Sequence, residues 1–176
     1  MEGGFYVDSE IGKLRKVIVH SPDEGIDRIS PRRANELLFD DIVHLPTMRA
    51  EHRIFESVLV RFLGRDQVLE TQELIRQALD ANDAIKGELM DLIRDFEELP
   101  KAFFTTLCNL DHGTLAEVLI SGYYRKEDHI LFDPIPNFIF TRDIALTIKD
   151  HIVITKAAKS VRHRENLLTR FILHAH

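Results

Sequence analysis

A chain of 176 residues is long enough to bury one sizeable core, or one core with an insertion. Its 44% apolar and 30% charged residues are ordinary for a globular protein, and 29 acidic against 23 basic residues give a formal charge of -6. That balance leaves no basic stripe to neutralise phosphates, which argues against nucleic acid as a partner. No apolar run approaches the ~18 residues of a membrane span, and the opening residues lack a signal peptide's basic leader and apolar core, so no membrane partner is expected. One cysteine, Cys108, excludes an internal disulfide framework and fits a reducing, cytoplasmic compartment.

In chain order, "LRKVIVHSP" (Leu14 to Pro22) predicts a strand centred on Val17, Ile18 and Val19 and closed by Pro22. A short helix is expected in "ISPRRANELLFDD", with Ser30 as its N-cap and Pro31 at its first position. Met48, Ile54, Phe55, Val58, Leu59 and Phe62 recur at helical spacing up to the stop signal Gly64. "DQVLE" then predicts a second strand, and the strand–helix–strand order predicts α/β organisation. From Thr71 to about Gly122 the period is helical, interrupted at Asn82, Gly87, Pro100 and Gly113, as for an insertion of several short helices. Strand patterning resumes in "NFIFTRDIALTI" (Asn137 to Ile148), and a turn at Lys149-Asp150-His151 leads into "IVIT" to make a hairpin. A last helix from about Ser160 carries Leu167, Leu168, Phe171 and Ile172 on one face. It has no stop signal, so the natural chain is expected to continue past His176.

The triplet Thr141-Arg142-Asp143 interrupts that strand pattern. In a continuous strand Arg142 would share a face with Phe138, Phe140 and Ile144, and Asp143 with Ile139, Thr141 and Ala145. Neither apolar layer accepts an unpaired charge. Either the strand breaks at Thr141 and both charges sit in a solvated turn, or the triplet lies at a pocket mouth where a carboxylate meets a cationic ligand. A carboxylate suits a guanidinium, because two parallel, charge-assisted N–H···O bonds match its two oxygens. Asp40-Asp41 supplies a second acidic pair, which also fits a solvated helix end.

The segments "SEIGKLRKVIVHSP", "ELLFDDI", "PIPNFIFTRD" and "RHRENLLTRFILHAH" resemble, in order and spacing, the amino-terminal half of arginine deiminases, members of the guanidino-group-modifying (amidinotransferase) superfamily. The resemblance covers nearly the whole chain. It includes the helical insertion, which is unlike the smaller dimethylarginine hydrolases and agmatine deiminases. The implied fold is an α/β propeller of pseudo-fivefold ββαβ modules. On that plan residues 1–70 form the first module, 71–122 the helical insertion, and 123–176 a second module truncated at its final helix. The implied reaction is hydrolysis of L-arginine to L-citrulline and ammonia. A thiolate attacks the guanidinium carbon, ammonia leaves with help from a histidine acid, and water hydrolyses the cysteine-bound amidino intermediate, without a cofactor.

Carried over residue by residue, the resemblance makes Asp143 the catalytic carboxylate that grips the guanidinium. It places Phe140 and Leu38 beside the substrate, Asn137 and Arg162 at its amino-acid end, and Asp41 and Arg142 in structural support. The approach "TKAAKSVR" departs from the Tyr-, Trp- and Pro-bearing family segment, which leaves a related guanidine open as substrate. The family's catalytic Cys, His and second carboxylate belong to the carboxy-terminal half. Cys108, near Leu107 and Leu110 with nothing beside it to lower its pKa, is read as a small buried apolar side chain and not as the nucleophile.

No metal is expected. His174 and His176 point about 200° apart on a helix, and no Cys or Glu-x-x-His pattern supports them. His112, His129 and His163 lack catalytic spacing, and His20, after the first strand, is read as structural. Two alternatives remain open: an amidinotransferase using the same carboxylate and a cysteine, and a non-catalytic module that binds arginine or a partner protein. An incomplete propeller would expose apolar faces, from which association into a homo-oligomer follows.

Overall fold

Three β-branched residues, Val17–Val19, form strand β1, which pairs in parallel with β2, Val68–Glu70, in the register Val17 to Val68 and Val19 to Glu70. The computed structural model describes residues 5–39, 43–81 and 83–175. Between the two strands run α1 (Glu24–Asp27), α2 (Ala34–Leu37) and α3 (Leu45–Leu63). Pro46 opens α3, where a missing N–H costs nothing, and Gly64 ends it. Asp40 and Asp41 lie outside the described residues.

The stretch from Thr71 is helical as its period predicts: α4 (Thr71–Ala81), α5 (Asp83–Phe96), α6 (Lys101–Cys108) and α7 (His112–Ser121). Their apolar faces meet in one core containing Ile75, Leu79, Ile93, Leu107, Leu115 and Leu119, all fully buried. Gly122 ends α7 at φ 69°, and a Cβ there would stand 2.0 Å from the Phe132 carbonyl oxygen, so only glycine fits. Next come the antiparallel pairs β3 (Tyr123–Tyr124) with β4 (His129–Ile130) and β5 (Ala145–Ile148) with β6 (His151–Ile154). Helix α8 (His163–Ala175) closes the core by packing Leu168, Phe171 and Ile172 against α4 and α5. The architecture is mixed, mostly helical, with three two-stranded sheets among the described residues. No helix among them is long and apolar enough to cross a membrane.

Two features differ from the sequence reading. The strand expected from Asn137 begins only at Ala145; before it the chain makes two 3-10 turns, Pro136–Ile139 and Thr141–Asp143. Pro136 lacks the N–H a sheet needs, and the charges at 142 and 143 suit a turn better than either sheet face. Cys108 is exposed, because the last turn of α6 points Leu107 into the core and carries the next residue away from it.

Two buried cations tie these elements together. His20, just past β1, lies 3.0 Å from Asp23 Oδ2 through Nε2, and 2.6 Å from Thr71 Oγ1 and 3.3 Å from Glu70 Oε1 through Nδ1. Both carboxylates also cap helices. Asp23 accepts from the Gly25 N–H at the start of α1, and Glu70 accepts from the Glu73 N–H in the first turn of α4. Burial alone would pull the His20 pKa down, but the bonds from Asp23 and Glu70 outweigh it and raise it from 6.5 to about 9. The second cation, Arg164 on α8, donates Nε–H to the Leu119 carbonyl at 3.0 Å, Nη2–H to the Asp133 carbonyl and Nη1–H to Glu97, and stacks 4.3 Å above the Phe132 ring.

Two expectations follow. The folded-state pKa of His20 lies above its unfolded value, so its contribution to stability is complete below about pH 6.5 and is lost as pH rises through about 9. Melting temperatures measured from pH 6.5 to 9.5 should therefore fall in the native chain and show a flatter slope in His20→Gln; equal slopes would refute the assignment. Glu97→Ala leaves a buried guanidinium without its counter-charge and should cost about 3–5 kcal/mol in urea unfolding.

Candidate functional site

The residues singled out from the sequence lie on three neighbouring pieces: the end of α2, the two 3-10 turns, and the start of α8. Asn137 is buried in the first turn and donates Nδ2–H to the Leu37 carbonyl at 2.8 Å, which fastens the turn to the α2 end. Leu38, next in the chain, is half-exposed at φ 56°. Phe138 faces inward with its ring 5.2 Å from that of His20, whereas Phe140 points outward and is 52% exposed.

The second turn is pinned at both ends. Thr141 Oγ1 donates to the Ile18 carbonyl of β1 at 3.0 Å, and Thr155 Oγ1 donates to the Asp143 carbonyl at 2.5 Å. Thr155 is held in turn by Asn166 of α8, whose Nδ2–H donates to the Thr155 carbonyl at 2.6 Å. Backbone bonds from Phe140 N–H to the Asn137 carbonyl and from Asp143 N–H to the Phe140 carbonyl set the two turns in series. The Asp143 carboxylate is thereby fixed through its backbone while its side chain stays half-exposed.

Across from it stands Arg162, at the end of a 3-10 turn leading into α8. Its Nη1 lies 3.4 Å from Asp143 Oδ2, while Nε and Nη2 bond Glu165 at 2.8–3.1 Å. The Glu165 hydrogen bonds hold the Arg162 proton more firmly than usual, against the opposing effect of burial. Arg142 goes elsewhere: it pairs with Glu10 at 2.7 Å, and both side chains are largely exposed, a contact worth little. The structure thus brings Asp143 to Arg162, and Asn137 to the backbone beside Leu38, with Phe140 between Asn137 and Asp143 in the chain.

Glu165 was absent from the sequence reading. Its spacing three residues past Arg162 at a helix start was the available signal, since i and i+3 side chains meet. Two clefts, of about 520 and 480 Å³, lie elsewhere, one along Asn109–Asp111 and Tyr123–Lys126, the other by Arg76, Asp80 and His112. The second has a structural account: His112 Nδ1 meets Asp80 at 2.6 Å and its Nε2 meets Lys86 at 2.9 Å, which braces α4, α5 and α7. Burial pushes the Cys108 thiol up, the wrong direction for a nucleophile. No group of three or more metal-ligating side chains occurs among the described residues.

A family model described as arginine deiminase matches residues 109–176, the stretch that holds Asn137, Phe140, Asp143 and Arg162. The chain is also 32% identical over 199 residues to an arginine deiminase of Limosilactobacillus fermentum, covering 100% of this chain and 48% of that protein. It is 32% identical to one from Metamycoplasma hominis, with 98% and 45% covered, and 30% identical to one from Borrelia garinii subsp. bavariensis, with 96% and 46% covered. The likeness is to arginine deiminases. The chain spans about half the length of the curated relatives it matches.

Truncating Asn137 should test how the arginine deiminase-like turn is held. Asn137→Ala removes a buried donor and orphans the Leu37 carbonyl, so urea unfolding should show a loss of about 1–3 kcal/mol. A loss under a few tenths would mean that the turn is held without it.

Proposed function

We propose that this chain supplies the substrate-binding part of an arginine deiminase, which hydrolyses L-arginine to L-citrulline and ammonia through a cysteine-bound amidino intermediate. The observation that carries this is the Asp143–Arg162 pair, set 3.4 Å apart by two elements of the segment that matches the family model. Asp143 takes the substrate guanidinium, because a half-exposed carboxylate on a braced turn can offer both oxygens to a planar cation and hold its carbon in line for attack. Arg162 and Asn137 serve the amino-acid end, and Phe140 and Leu38 provide apolar contact. Asp41 supports the site, whereas the exposed Arg142–Glu10 pair contributes little to it.

The attacking thiolate comes from outside these residues, since Cys108 sits on a surface helix end with its pKa raised. We assign the chain to an α/β propeller, with residues 1–70 and 123–176 in two modules and 71–122 as a helical insertion. The parallel pairing of β1 with β2 supports the first of these modules. The enzyme works in the cytoplasm, needs no cofactor and associates through apolar surface, of which α3 presents Ile54, Phe55, Val58 and Phe62.

In the complete enzyme Asp143→Asn should abolish citrulline formation, by a thousandfold or more on the order of ~4 kcal/mol of transition-state stabilisation, at an unchanged melting temperature. Near-normal turnover in that variant would refute the assignment. Ammonia release measured with and without an added amine acceptor separates hydrolysis from amidino transfer.

A further inference from the structure

Arg162 lies between two carboxylates of opposite character. Asp143 is half-exposed and touches it once, at 3.4 Å; Glu165 is 2% exposed and holds it through three contacts of 2.8–3.1 Å along the Nε–Nη2 edge. Side-on binding of this kind fixes the guanidinium plane, whereas a single long contact does not. Glu165 itself is anchored, because its carbonyl accepts from Thr169 Oγ1 at 2.7 Å and its neighbour Arg164 is locked in the core. Burial pushes the Glu165 carboxyl above its usual pKa, and the Arg162 cation pulls it back toward the charged form.

A cation with Asp143 as its only partner would close onto that carboxylate and occupy the place of an incoming guanidinium. We propose that Glu165 is a positioning residue that retains Arg162 along its Nε–Nη2 edge and so keeps the Asp143 carboxylate open to a ligand's guanidinium. Glu165 touches no ligand in this scheme. The inference rests on the reading of Asp143 as a guanidinium site.

Calorimetric titration with L-arginine and with agmatine, which has the guanidinium but no carboxylate, tests both levels. In Glu165→Gln, agmatine should bind about tenfold more weakly, as Arg162 turns onto Asp143. Removing the competitor as well, in the Arg162→Met/Glu165→Gln double variant, should restore agmatine to native affinity while L-arginine stays weak. Arg162→Met alone should bind agmatine at least as tightly as the native chain, a check that stands even where Glu165→Gln fails to fold. Unrestored agmatine binding in the double variant, or weakened binding in Arg162→Met, overturns the positioning role. Native protein that binds neither compound overturns the reading of Asp143, and the inference with it.

Discussion

The constraint on which the rest depends is the burial of Arg164. A guanidinium taken out of water costs several kcal/mol unless every donor finds a partner, and Arg164 finds them on three separate elements. Glu97 follows α5, the Leu119 carbonyl lies in α7, and the Asp133 carbonyl begins the loop that leads to Asn137. Satisfying one side chain therefore fixes where α8 starts relative to both the helical core and the loop. Arg162 and Glu165, two residues before and one after Arg164, acquire their positions from it. Asp133 is gripped a second time, by Arg33, whose two Nη groups meet its two oxygens at 2.8 and 2.6 Å. The loop bearing the two 3-10 turns is thus held at its origin by two arginines of distant sequence.

The His20 cluster plays the corresponding part at the other side. One imidazole joins the carboxylate caps of α1 and α4 at the ends of β1 and β2, and its ring meets Phe138 in the first of the two turns. Thr141 adds a bond to β1 two residues before Asp143. The strand pair and the helical core therefore reach the same short segment from opposite ends, and the bonds from Thr141 and Thr155 place Asp143 through its backbone.

Local pattern revealed much of this and missed a definite part. Val17–Val19, the long helix ending at Gly64 and the four helices after Thr71 were legible because β-branched runs, helical period and glycine stops are local signals. Asn137 to Ile144 misled, because alternating Phe and Ile residues imitate a strand while Pro136 and two charges favour successive 3-10 turns. Long-range charge pairs were illegible: nothing near Arg164 in sequence announces Glu97, 67 residues away, or the carbonyls it satisfies. Asp143 and Arg162 were found through their likeness to a family pattern, and Glu165 only through its contacts. Asp143 proved to lie in a solvated 3-10 turn, the first of the two readings of the charged triplet, and the cation beside it is Arg162 of the same chain.

The backbone at Leu38 carries the same logic one step further. A leucine at φ 56° and ψ 36° pays about 1–2 kcal/mol against ordinary helical geometry, where glycine or asparagine would pay little. Leu38 also keeps 40% of its surface exposed, so core packing does not account for the strain. Two bonds maintain it, from the Phe39 N–H to the Ala34 carbonyl and from Asn137 Nδ2–H to the Leu37 carbonyl. The second of these comes from the turn that leads to Asp143. The strain at Leu38 is thus held by its surroundings, through one bond of its own helix and one from the turn that leads to Asp143.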